Sequence, residues 1–188
     1  MVGTIDPLYM HSCYGEIKIL GETLCVSYYK EYGLRICSAR IAHTYGPTMN
    51  PYDDPRVFAS FMRCVLENRD IEILSDGLMK RTFCYIADAT AAFFLILLKG
   101  QGGEAYNVCN EDEFLSIREL AEIIASLAPE KHLKVFFSER DSRDSYLESK
   151  DNRQSRLVAN KLNELGWTCN YNARNGFRRV YDYLKVDE

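Results

Sequence analysis

Residues 14–47, YGEIKILGETLCVSYYKEYGLRICSARIAHTYGP, decide how the chain is read. Tyr14, Ile17, Leu20, Leu24, Cys25, Tyr28 and Tyr29 recur near helical spacing, so the first part of the stretch predicts a helix. Gly33 stops it, because glycine enters the left-handed conformation that closes a helix without a Cβ penalty. Leu34 to Ile41 then reads as a strand, and Tyr45-Gly46-Pro47 as the turn that ends it.

The same alternation continues outward. Val57 to Leu66 predicts a helix with an apolar face of Val57, Phe58, Phe61, Met62 and Val65. Ile71 to Leu74 is a short strand closed by the turn Ser75-Asp76-Gly77, and Thr82 to Ile86 is another strand. Asp88 stands at the N-cap position of an apolar helix, Ala89 to Leu98. Ala105 to Val108 is a strand, and Ser116 with Glu119 forms a capping box for the helix Ile117 to Leu127. A strand at Leu133 to Phe137, a long polar loop from Ser138 to Asn152, and helices at Val158 to Leu165 and Ala173 to Leu184 complete the chain. Alternating helices and strands argue for an α/β fold with some parallel strands. A doubly wound sheet ordinarily opens with a strand, a glycine-rich turn and a helix, whereas no GxGxxG or GxxGxxG occurs here.

Composition excludes several classes of function. The 188 residues are 47% hydrophobic and 27% charged, an ordinary globular balance. With a net charge of −4 and no run of Lys and Arg, nothing builds the basic stripe that nucleic acid requires. The seven cysteines form no CxxC pair, so no structural zinc is expected and the thiols read as reduced. The longest apolar run, Ala91 to Leu98, is far below the ~20 residues that span a bilayer. No signal peptide opens the chain, and the expectation is a cytoplasmic protein with no membrane partner.

Candidate chemistry begins at Tyr14 and Lys18, which share one helix face at i and i+4. A neighbouring ammonium favours the ionised form of a phenol, and a phenol so placed can exchange a proton with a sugar hydroxyl during hydride transfer. The spacing alone is weak, since it recurs at Tyr146/Lys150 and Tyr181/Lys185. Order adds weight. After Tyr14 and Lys18 come Glu22, a strand, Arg40-Ile-Ala-His-Thr-Tyr-Gly-Pro47, Asp76-Gly77, Arg81-Thr-Phe, Tyr85-Ile-Ala-Asp88, Tyr106-Asn107 and Leu165-Gly166-Trp167.

Over nearly its whole length, this order resembles the extended short-chain dehydrogenases that act on nucleotide sugars, the NAD-dependent epimerase/dehydratase family. The segment Ser12 to Lys18 is most similar to the UDP-glucuronate decarboxylase and dTDP-glucose dehydratase branches. The resemblance implies the C-terminal remainder of a Rossmann-like doubly wound sheet (residues 1–48) plus a small α/β substrate-binding domain (residues 49–188), with 82–108 returning to the sheet. It implies Tyr14 as catalytic tyrosine and Lys18 as its partner on the nicotinamide ribose, with Arg40 and Ile41 also near the NAD. His43, where asparagine is usual, would touch the nucleotide sugar, and Arg81, Arg156 and Arg153 would bind its diphosphate. Plainer readings stand beside these. Arg81 can pair with Asp76 or Asp88, His43 can be a satisfied loop histidine, and Arg153 and Arg156 can belong to a solvated face. Without the glycine-rich turn, tight NAD binding by this chain alone is not expected. A helix and strand edge lacking their neighbours would also favour a homo-oligomer or a separate N-terminal half.

Overall fold

The computed structural model describes Leu8, residues 12–138 and residues 156–186. Helix α1 (Cys13–Tyr32) closes on Gly33 at φ 68°, whose N–H bonds the Tyr29 carbonyl at 3.0 Å. It buries none of its side chains, and Ile17, Leu20 and Leu24 stand exposed.

The strand read at Leu34 to Ile41 is shorter than expected. Ile36 N–H turns back to the Leu34 carbonyl at 2.8 Å, so pairing starts only at β1 (Ser38–Ile41). β1 runs parallel to β5 (Ala105–Val108), in register Ser38 with Ala105. One residue beyond β1 the chain changes partner. β2 (His43–Tyr45) lies parallel to β4 (Lys80–Tyr85), in register His43 with Phe83. β4 also pairs antiparallel with β6 (Phe114–Ser116), a strand that periodicity does not reveal. β3 (Ile71–Ile73) pairs in parallel with β7 (Val135–Phe137). The helices are α2 (Val57–Leu66), α3 (Ile86–Lys99), α4 (Ile117–Ala125), α5 (Asn160–Glu164) and α6 (Ala173–Val186). The expected capping box opens α4, with Ser116 and Glu119 bonded reciprocally. The polar segment 139–152 lies outside the described residues.

Two apolar clusters hold these elements. One gathers Phe58, Met62 and Val65 of α2, Leu120 and Ile124 of α4, Phe177 of α6, and Phe83 of β4. The other gathers Ala89, Ala92 and Ile96 of α3 with Val108, Leu162 and Trp167. β2 and β4 run between them, with Tyr45 and Phe83 in the first cluster and Cys84 in the second. The site described below lies at their starting ends. No described helix is long and apolar enough to cross a membrane. All seven cysteines are free, with Cys64, Cys84 and Cys109 buried.

Asp88 is not the N-cap of α3. The helix begins two residues earlier, capped at Tyr85, and the Asp88 side chain is buried. Its carboxylate accepts from the backbone N–H of Asn170 at 3.1 Å and of Tyr171 at 3.1 Å. Its own carbonyl accepts from Trp167 Nε1 at 3.0 Å. Asp88 therefore ties residues 167–171 to α3, and Trp167 packs with α3 and α5.

Gly176 is where α6 meets β2. The Tyr45 ring stacks on Phe177 at 3.9 Å, and a Cβ on Gly176 would meet Tyr45 Cζ at 2.8 Å. Alanine ordinarily stabilises a helix interior by ~1 kcal/mol over glycine, but overpacking a core costs about 1–3 kcal/mol. Because Tyr45 is buried and stacked, the clash should win. Gly176→Ala is expected to lower stability by about 1–2 kcal/mol in urea denaturation, and a stabilised variant would show that the ring can move aside.

Candidate functional site

The first residues of β2 and β4 build one wall of a cleft. His43 opens β2 and pairs with Phe83, their ring centroids 5.7 Å apart. Side chains alternate along a strand, so Arg81 shares the His43 face while Thr82 turns to the other. Thr82 is 4% exposed, and its hydroxyl has no hydrogen-bond partner among the described residues. Arg56 enters from the loop before α2. Asp54 grips its guanidinium through Nε at 2.9 Å and Nη2 at 2.5 Å, and Nη1 donates to the Thr44 carbonyl at 2.7 Å. Arg56 is thereby fixed against the backbone of β2.

Tyr14, Ile41, His43, Arg56, Arg81 and Thr82 line this cleft of about 480 Å³. Tyr14 is 71% exposed, at the start of α1. Two arginines, a histidine and a tyrosine contribute to its wall, and no described carboxylate lines it. Such a wall suits an anion, since guanidinium offers a planar fork of donors to phosphate. The protein packed around His43 holds its imidazole below the usual range even though its outer edge is open to solvent, and the Arg81 and Arg56 charges push the same way.

Four of the residues singled out in the sequence thus meet: Tyr14, Ile41, His43 and Arg81. Lys18 lies beside them, its ammonium over the Tyr14 ring at 5.2 Å from the centroid, against the face of the ring. Lys185 stands over Tyr181 in the same way at 5.8 Å, but Tyr181 is buried. The cleft, not the spacing, distinguishes the two pairs. Tyr146 and Arg153 lie outside the described residues.

Arg40 does not join this group. Its Nε and Nη2 bond the two carboxylate oxygens of Glu22 at 2.6 and 2.5 Å, and it faces a second cleft with Asn107 and Lys161. The hydrogen bond from Arg40 holds the Glu22 carboxyl below its ordinary range. Arg156 donates to the Glu111 carbonyl at 2.7 Å, and Ala159 N–H bonds the Glu111 carboxylate at 2.7 Å. These bonds anchor the segment that brings Leu157 to the first cleft. A third concavity, between residues 47–52 and the end of α6, has no charged side chain in its wall.

Sequence reasoning missed Arg56 and Thr82. Asp54-Pro55-Arg56 reads as a charged surface turn, and nothing local shows that it folds back onto β2. Thr82 sits inside the quoted Arg81-Thr-Phe, where its neighbours draw the attention.

Comparison with known proteins shows the family. Residues 3–109 match the family described as NAD dependent epimerase/dehydratase. The chain belongs to that family. It is 33% identical over 176 residues to UDP-glucuronic acid decarboxylase 6 of Arabidopsis thaliana, covering 93% of this chain and 48% of that protein. The chain thus spans about half the length of the curated relatives it matches. Its fold is similar to that of UDP-glucose 4-epimerase from Thermotoga maritima, solved with UDP-glucose, at TM-score 0.80 and 24% identity, covering 93% of this chain and 53% of that one. It is also similar to UDP-glucuronic acid 4-epimerase from Bacillus cereus, solved with UDP-glucuronic acid and NAD, at TM-score 0.76 and 25% identity over 93% of this chain and 53% of that one. The mixed α/β architecture with parallel pairs is that of these Rossmann-like epimerases and dehydratases.

Proposed function

We propose that this chain carries the nucleotide-sugar side of an NAD-dependent epimerase/dehydratase active site. The observation that supports it is the cleft that joins Tyr14 to Arg56, Arg81 and His43 with no described carboxylate in its wall. In this reading Arg81 grips the diphosphate, assisted by Arg156 and Arg153 from the C-terminal segment, and His43 touches the nucleotide sugar. Tyr14 takes the sugar hydroxyl proton, and Lys18, with Ile41, borders the nicotinamide ribose. NAD, when bound, would supply a hydride acceptor for oxidation at the sugar's fourth carbon. The residues present fit only that end of the cofactor. A pyrophosphate needs backbone N–H groups at a glycine-rich helix start, and this sequence holds no such motif.

The same fact favours a second reading, in which the chain binds a nucleotide sugar without turning it over. Titration calorimetry tests what the two readings share. The chain should bind a UDP or dTDP sugar and give no heat with NAD. Tight NAD binding would overturn the weak-cofactor reading. Failure of every nucleotide sugar to bind would remove both readings.

A further inference from the structure

The one titratable group in the cleft wall with an ordinary pKa near neutrality is His43, and its surroundings are cationic. Arg81 lies on the same sheet face, two residues from Phe83, the register partner of His43. Arg56 reaches the carbonyl of Thr44, the next residue of β2. From α1 the cleft receives Tyr14, and from the loop before α2 it receives Arg56 with its partner Asp54. No described carboxylate among the cleft-lining residues balances an imidazolium at this position.

Resting on the nucleotide-sugar reading above, we infer that His43 joins Arg81 and Arg56 as a ligand of the diphosphate and takes up a proton as the anion enters. Neutral imidazole offers one N–H donor, and imidazolium offers two. In the empty cleft, packing and the two guanidinium groups oppose protonation. A diphosphate seated between Arg81 and Arg56 offsets the two guanidinium charges and accepts the added N–H. The sign follows by linkage. The bound form holds the proton to higher pH than the free form, so affinity rises as pH falls through the interval between the two ionisations, and levels off outside it. Each unit between them is worth about tenfold in affinity.

The test uses UDP-glucose, whose diphosphate diester does not titrate near neutrality. The intact chain is titrated calorimetrically between about pH 5.5 and pH 8.5, in two buffers of different ionisation enthalpy, alongside His43→Asn. The inference expects wild-type affinity about tenfold tighter at the acid end, with up to one proton taken up, and a flat profile without proton uptake in H43N. If UDP-glucose binds but wild type is flat, or H43N keeps the wild-type slope, the role of His43 is overturned while the nucleotide-sugar reading stands. If UDP-glucose does not bind at any pH, that reading fails and the inference falls with it.

Discussion

Asp88→Ala is expected to destabilise the protein by about 3 kcal/mol in urea denaturation. The carboxylate is 2% exposed and accepts the N–H groups of Asn170 and Tyr171 together with the Asn170 side-chain amide at 3.3 Å. Alanine leaves these donors facing a space that it cannot fill. A hydrogen bond to a charged group is worth about 1.5–3 kcal/mol, and bonds that share one acceptor do not add in full. Asp88→Asn keeps the volume and one accepting oxygen, so it should recover part of the loss. Trp167 reports the local change, because it is the only tryptophan and its indole N–H bonds the Asp88 carbonyl. Its fluorescence should shift toward that of exposed tryptophan at denaturant concentrations below the main transition. A variant within about 0.5 kcal/mol of wild type would mean that residues 167–171 are held by packing alone.

How much of this was legible beforehand depended on the range of the forces involved. Helix α2 and strand β5 matched their expected bounds, Val57 to Leu66 and Ala105 to Val108, because a long apolar face or a clean strand between turn residues is a local signal. The Gly33 stop and the Ser116 capping box are also local, and both formed. Elsewhere distant partners decided. Nothing between Leu34 and Tyr45 says that the chain changes partner at Ala42, from β5 to β4. β6 is three residues long, too short to show a period of two, and its pairing with β4 defines it. Asp88 was misread because an acidic residue before an apolar run looks like a cap, and its true partners lie some eighty residues away.

The candidate site divides in the same way. Tyr14, His43 and Arg81 were legible through the order of motifs along the chain, and the fold places them around one cleft. Arg56 was not, because its role depends on the loop before α2 folding back onto Thr44. Arg40 shows the converse. It stands in the quoted motif beside Ile41, yet strand alternation turns it away to Glu22 and a different cleft.

Arg81→Ala is expected to weaken UDP-glucose binding by about 30- to 150-fold, or about 2–3 kcal/mol. The guanidinium can meet a diphosphate with two parallel N–H donors, and alanine removes both the fork and the charge. The β2–β4–β6 sheet fixes the backbone at Arg81, in register with Leu115, so the loss should come from the side chain and not from a displaced strand. Arg81→Lys discriminates further. A lysine restores the charge as a point, without the planar fork, and should recover only part of the affinity. The alternative, that Arg81 serves only to pair with neighbouring acidic groups, predicts that alanine and lysine leave affinity within about twofold of wild type. Measured against His43→Asn, the two variants should also differ in kind. Loss of Arg81 weakens binding at every pH, because guanidinium stays charged across the whole range. Loss of His43 acts mainly at the acid end. An Arg81 variant whose deficit disappeared at high pH would mean that the two residues hold the anion through one shared contact.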